Sequence, residues 1–193
     1  MLGLKFETAT SWVEVASAGL EQVLTDHAFA EQKAASNAVS IIINYSEETE
    51  LVQAMSDIAI EEMEHFKMVH EFMVKKGMTL GRDQSNDYAR HLQSYFPKTS
   101  DRQLALIHRL LIAALIEARS CERFTLLADA LPDSPERSLI RELIPSEARH
   151  FSMFMNLARE YDDADAVEAR FEEYAVAEAE IVRALPDEAR VHG

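Results

Sequence analysis

Disulfide chemistry is closed to this chain within itself, because 193 residues include a single cysteine, Cys121. One thiol excludes an intramolecular disulfide framework and fits a reducing compartment. Glycine and proline are scarce, five of each, so few positions break regular structure; with abundant Ala, Glu, Leu and Met this points to helices. No stretch offers the roughly 18 uninterrupted apolar residues that span a bilayer. Residues Met1 to Thr10 lack the basic flank and continuous apolar core of a secretory signal. The expectation is a cytoplasmic protein with no membrane partner, folding as one domain over residues 1–193.

Positive charge is also in deficit. Lys and Arg number 19 against 34 Asp and Glu, a net charge of −15, which argues against a uniform grip on nucleic acid. The deficit is uneven. Residues 1–66 carry a net −10 and residues 110–193 a net −9, whereas residues 67–109 carry a net +4. The cations of that middle segment are Lys67, Lys75, Lys76, Arg82, Arg90, Lys98, Arg102 and Arg109. An acidic body with a basic middle can hold a polyanion locally while repelling it elsewhere. An ordinary solvated stretch reads the same way.

The hydrophobic periodicity and breakers predict seven helices. They cover about residues 10–24, 26–44, 47–76, 87–95, 101–130, 135–161 and 166–185. Ser46 is a plausible N-cap for the third, Gly77 its stop, Asp101 an aid to the fifth, and Ser134 with Pro135 a start for the sixth. The stretch from Met78 to Ser100, with Gly81, Asn86 and Pro97, reads as a crossover, and the tail from Pro186 as frayed. Two long antiparallel helical hairpins joined by a crossover make an all-α, four-helix-bundle pattern with a core over about residues 25–161, plus extra helices at each end.

What the chain does have is a repeat. Glu62-Met63-Glu64-His65-Phe66-Lys67-Met68 and Glu147-Ala148-Arg149-His150-Phe151-Ser152-Met153 both read E-x-x-H-F-x-M. Residues three apart share a helix face, so each Glu and His pair can converge on one ion. A lone carboxylate precedes each copy: Glu31 stands 31 residues before Glu62, and Glu117 stands 30 before Glu147. Two antiparallel helices bring such residues level only if the turn lies midway. The midpoints fall at Ser46/Glu47 and at Pro132, both in turn-like sequence. The ligands then lie about 15 residues, roughly 22 Å, from each turn. Glu31, Glu62, His65, Glu117, Glu147 and His150 thus form the ligand pattern of a carboxylate-bridged two-metal site. Four carboxylates in apolar helix faces need such ions to neutralise them. The hard donor set suits iron or manganese over zinc.

Other candidates weigh less. Glu61 and Glu64 flank the first copy but point elsewhere and are expected to be solvated. His27, one turn before Glu31, is either a supporting group or packing. His70, His91 and His108 lack partners at ligand spacing. Cys121 borders the site or fills the core; Phe66, Phe124, Phe151 and Phe154 line an apolar pocket or simply pack. Lys33 and Arg119, two residues after their Glu, face away from it. Pro145 should remove a backbone hydrogen bond beside Glu147 and kink its helix.

The wording around the ligands resembles a known family. Ala34-Ala35-Ser36, Ala114-Leu115-Ile116-Glu117-Ala118-Arg119-Ser120-Cys121-Glu122-Arg123-Phe124 and Ser146-Glu147-Ala148-Arg149-His150-Phe151 are similar to the tRNA-(2-methylthio-N6-isopentenyladenosine) hydroxylases, of the ferritin-like di-iron carboxylate superfamily. The resemblance covers about residues 10–160, and nothing in the last 30 is recognised. It implies a monooxygenase with two iron ions at the six positions above and O2 as co-substrate. The implied reaction is hydroxylation of the isopentenyl group of the modified adenosine next to the anticodon. It implies tRNA as partner, with Lys75, Lys76, Arg82, Arg90 and Lys98 as the expected phosphate contacts. The chain carries no flavin, nicotinamide or iron–sulfur motif, so electrons are expected from a separate reductase. A ferritin-like iron oxidase or storage protein, a quinone-ring hydroxylase and a manganese catalase share the ligand set.

Overall fold

The computed structural model describes residues 2–83, 87–96 and 98–192, and every regular element among them is an α-helix. Asn86 and Pro97, two of the expected crossover breakers, lie outside the described residues. The helices are α1 (Thr10–Ala18), α2 (Leu20–Asn44), α3 (Thr49–Lys75), α4 (Asp87–Tyr95), α5 (Arg102–Ala130), α6 (Pro135–Tyr161) and α7 (Ala164–Ala184). Among the described residues no helix is long and apolar enough to cross a membrane.

The chain divides into two compact units. One spans Gly19–Ser85 and is the α2–α3 hairpin; the other joins Met1–Ala18 to Asn86–Gly193 and holds α1 and α4 to α7. In the first unit α2 ends at Asn44 and α3 starts at Thr49, so the turn straddles the expected midpoint. Ser46 does not cap α3: the N-cap is Glu48, with no side-chain bond to the first turn. The stop at Gly77 is as expected. Its φ of 71° is the left-handed conformation that costs glycine least. Gly77 N–H donates to Val74 O (3.1 Å) and Met78 N–H to Met73 O (2.9 Å), which satisfies the last carbonyls.

In the second unit α5 and α6 form the other hairpin, and their turn spans 131–134 around Pro132. Asp101 caps α5 by accepting from Gln103 N–H (2.9 Å) and Leu104 N–H (3.1 Å). Ser134 caps α6 by accepting from Arg137 N–H (3.2 Å), with Pro135 at the start. Helix α6 continues through Pro145, and Ser146 Oγ donates to Leu143 O (2.6 Å) beside it.

Two boundaries differ from expectation. The first break falls at Gly19, not near residue 25, because Val23, Leu24, His27 and Ala28 continue one buried face of α2. The tail from Pro186 is not frayed. Val191 and His192 are buried. Trp12 Nε1–H donates to Arg190 O (3.0 Å), Arg123 Nη1–H donates to Val191 O (2.9 Å), and His192 stacks on Tyr88. Long-range partners hold this segment, which local sequence cannot reveal.

Candidate metal centre

In the α2–α3 hairpin, burial and helix phase bring Glu31, Glu62 and His65 together. Their ligand atoms lie within 4.8 Å of one another, and all three residues are buried. His65 Nδ1 is 3.7 Å from Glu31 Oε1 and 3.5 Å from Glu62 Oε2. The nitrogen that meets the carboxylates is therefore Nδ1. Its opposite, Nε2, lies 3.8 Å from Glu61 Oε1. Glu61, one turn before His65 and half-exposed, thus stands nearer the ring than the sequence suggested, at a separation beyond hydrogen-bond reach. Glu64 is exposed as expected.

His27 also belongs to this cluster. It is buried, and its Nε2 is 2.8 Å from Glu31 Oε1, one helical turn away. Burial, chiefly, pushes its pKa down to about 3; Glu62 opposes the shift and His65 adds to it. The ring is therefore neutral and lies against the Glu31 carboxylate without adding charge. The i,i+4 spacing to Glu31 was the available signal for it.

In the other unit Glu117, Glu147 and His150 are likewise all buried, with Glu147 and His150 one turn apart on α6. His150 Nδ1 lies 4.0 Å from Glu117 Oε2, so the same ring nitrogen faces the carboxylate in both copies. Cys121, one turn after Glu117 on α5, is half-buried. Burial first, then the charge of Glu147, raises its thiol pKa, so it is a packing group rather than a thiolate. Phe124 and Phe154 are core residues; Phe66 and Phe151 are half-buried.

The residues fit a metal. Glu31, Glu62 and His65 converge in a buried position, and Glu117, Glu147 and His150 offer the same buried donor types, a hard oxygen-and-nitrogen set that suits iron or manganese. Ionised carboxylates in such surroundings are costly unless cations offset them. The nearest large cation of α5, Arg119, is committed elsewhere. Its guanidinium bonds Glu178, Glu122, Thr8 and the Phe6 carbonyl, so it faces away from Glu117 as its position two residues on requires. Lys33, its counterpart in the first copy, is exposed and pairs with Asp83 at 2.7 Å.

The expected phosphate contacts, Lys75, Lys76, Arg82, Arg90 and Lys98, are all exposed. Lys76 Nζ sits over the Phe72 ring at 5.5 Å, and Arg90 pairs with Asp87 at 2.9 Å. His91 is exposed, and His108 is enclosed by the Phe96 and Tyr174 rings.

The chain is similar to three proteins of known name or structure. A tRNA 2-(methylsulfanyl)-N(6)-isopentenyladenosine(37) hydroxylase of Pseudomonas putida is 35% identical over 185 residues, covering 96% of this chain and 89% of that protein. The protein of the same name from Salmonella typhimurium is 32% identical over 143 residues, covering 74% of this chain and 52% of that one. The solved structure of a Synechococcus protein described as having aldehyde deformylating oxygenase activity superposes with a TM-score of 0.91. That protein is 36% identical; the match covers 98% of this chain and 95% of that one. The fold is therefore ferritin-like, as expected from the ligand order. The family model described as tRNA-(MS2IO6A)-hydroxylase (MiaE) matches residues 2–193, beyond the 10–160 legible by eye and into the last 30 residues. This chain belongs to the tRNA-(MS2IO6A)-hydroxylase (MiaE) family.

Proposed function

We propose that this chain is an O2-dependent di-iron monooxygenase that hydroxylates the isopentenyl group of 2-methylthio-N6-isopentenyladenosine in tRNA, next to the anticodon. The observation that carries the reading is the family match over residues 2–193. The buried Glu and His clusters supply the chemistry such an enzyme needs. Glu31, Glu62, His65, Glu117, Glu147 and His150 together hold two iron ions, and the whole chain acts as one ferritin-like domain.

Bound iron supplies O2 reduction and oxidation of a C–H bond. The chain's own residues do the rest. The four carboxylates balance the charge of two ferrous ions. His65 and His150 present Nδ1 toward the carboxylates as the donor atom. Neutral His27 restrains the Glu31 carboxylate through its 2.8 Å contact. Burial of the ligands excludes bulk water, which protects the oxidant from wasteful quenching. One oxygen atom enters the prenyl C–H bond and the other leaves as water, so an external reductase must deliver an electron pair. Lys75, Lys76, Arg82, Arg90 and Lys98 contact tRNA phosphates. The compartment that holds such a substrate is the cytoplasm.

A second reading comes from the Synechococcus structure, whose protein acts on aldehydes. The two separate cleanly. Iron-loaded protein given prenylated tRNA and, separately, a long-chain aldehyde with the same reductant should hydroxylate the first and leave the second intact. Formate release from the aldehyde with unchanged tRNA reverses the assignment.

A further inference from the structure

The two E-x-x-H-F copies are equal in sequence but not in surroundings. In the second, the Phe151 ring packs edge-to-face against Phe171 of α7, with centroids 5.7 Å apart, and Phe171 is itself buried. In the first, the ring that meets Phe66 is His70, one turn further along the same helix. Their centroids are 6.1 Å apart and their planes are parallel within 2°. Both residues are half-exposed. Phe66 directly follows His65, so this stacked pair begins one residue from a metal-ligand position.

Acids precede the pair, Glu61, Glu62 and Glu64, and cations follow it. Residues 67–82 hold Lys67, Lys75, Lys76 and Arg82 against one acid, Glu71, in a chain of net charge −15. Lys67 lies 3.8 Å from Glu71, and Lys76 sits over the half-buried Phe72 ring. Ile60, Met63 and Val74 leave apolar surface exposed along the same helix. Flat π surface bordered by cations and apolar side chains is the chemistry that binds an unpaired nucleotide. Bases stack on the rings, phosphates meet the cations, and an alkyl substituent finds apolar cover.

We infer that the Phe66–His70 pair on α3 is the platform for the purine of the modified adenosine, with Lys67, Lys75 and Lys76 taking flanking phosphates. The inference rests on the tRNA reading above and adds the recognition element: the copy whose Phe stacks on His70 receives the base, and the copy whose Phe packs against α7 does not.

The test uses the full iron-loaded chain and an anticodon stem-loop carrying the prenylated adenosine. Its binding is followed by fluorescence anisotropy across a salt series, with kcat, KM and iron content measured in parallel. His70→Ala should weaken binding about tenfold or more, the usual loss for a stacking ring. It should raise KM by a similar factor, leave iron content and kcat near wild type, and keep the salt slope. His70→Phe should restore binding, because a ring returns. Lys75→Gln and Lys76→Gln should each reduce the slope of log Kd against log salt by about 0.7–1. If His70→Ala and Phe66→Leu bind and turn over the stem-loop as wild type does, the pair is a helix brace and the inference is wrong, while the tRNA reading stands. If wild-type protein neither binds nor hydroxylates the stem-loop, both fall together.

Discussion

Arg119 and Glu178 form a fully enclosed, two-pronged ion pair. Arg119 Nε–H meets Glu178 Oε1 at 2.8 Å and Nη2–H meets Oε2 at 2.9 Å, and neither side chain reaches solvent. Tyr88 Oη–H adds a third bond to Glu178 at 3.2 Å. The partners Glu178 and Glu122 hold the guanidinium charged, its pKa raised against the opposing effect of burial. Removing one partner leaves the other charge stranded. Glu178→Ala should therefore cost about 3–5 kcal/mol, a fall in Tm on the order of 10 °C for a chain of this size. The double variant Arg119→Met/Glu178→Leu should lose less than the sum of the losses of Arg119→Met and Glu178→Leu made singly. Urea unfolding of the four proteins measures this; additive losses contradict it.

The ligand assignment predicts a chemical stoichiometry. Wild-type protein should bind two irons per chain, and Glu62→Ala or Glu147→Ala should lose one or both while retaining its far-UV circular dichroism. Metal analysis of purified, iron-reconstituted protein is the readout. Full iron content in either variant removes that residue from the site.

His108 predicts a pH dependence. Burial first, then the charge of Arg170, lowers its pKa below the ordinary histidine value of about 6.5, and the rings of Phe96 and Tyr174 face it. The unfolded chain then takes up the proton before the folded one does. Stability from this group is complete above about pH 6.5 and is lost as pH falls below it toward the folded-state value. Subtracting the pH profile of His108→Phe from that of wild type isolates the effect. The difference should slope downward with acidification below about pH 6.5, and a flat difference overturns it.

Gly77 gives a backbone test free of packing. Its φ is 71°, and a Cβ placed there meets no atom within 4 Å. Gly77→Ala should therefore cost about 1 kcal/mol from conformation alone. Denaturant midpoints decide it, and an unchanged or raised midpoint contradicts the left-handed stop.

The buried Glu and His pairs were legible because helical geometry ties sequence spacing to space. Glu62 with His65, and Glu147 with His150, are one turn apart, and the turns at 45–48 and 131–134 fall where equal arms require. What escaped the sequence depends on distant partners. Arg119 and Lys33 hold the same place in the repeat, yet one is sealed against Glu178 and the other is exposed on Asp83. The difference is made by α7, which carries Glu178. The run Arg119-Ser120-Cys121-Glu122-Arg123 carries part of the family resemblance and follows Glu117, but its partners were not legible. Most of it fastens the chain's outer segments: Ser120 Oγ lies 3.0 Å from His192 Nε2, Glu122 accepts from Thr8 at 2.7 Å, and Arg123 stacks on Trp12 at 4.7 Å. The tail read as frayed for the same reason, since its partners are Trp12 and Arg123, far away in sequence.

The most direct test is nucleoside mass spectrometry of isopentenylated tRNA after incubation with iron-loaded protein, O2 and a chemical reductant. The account predicts a gain of one oxygen on the prenylated adenosine, absent without O2 and absent in Glu117→Ala. An unchanged nucleoside, from protein shown to hold two irons and to consume O2, would contradict the tRNA assignment and leave only the metal site standing.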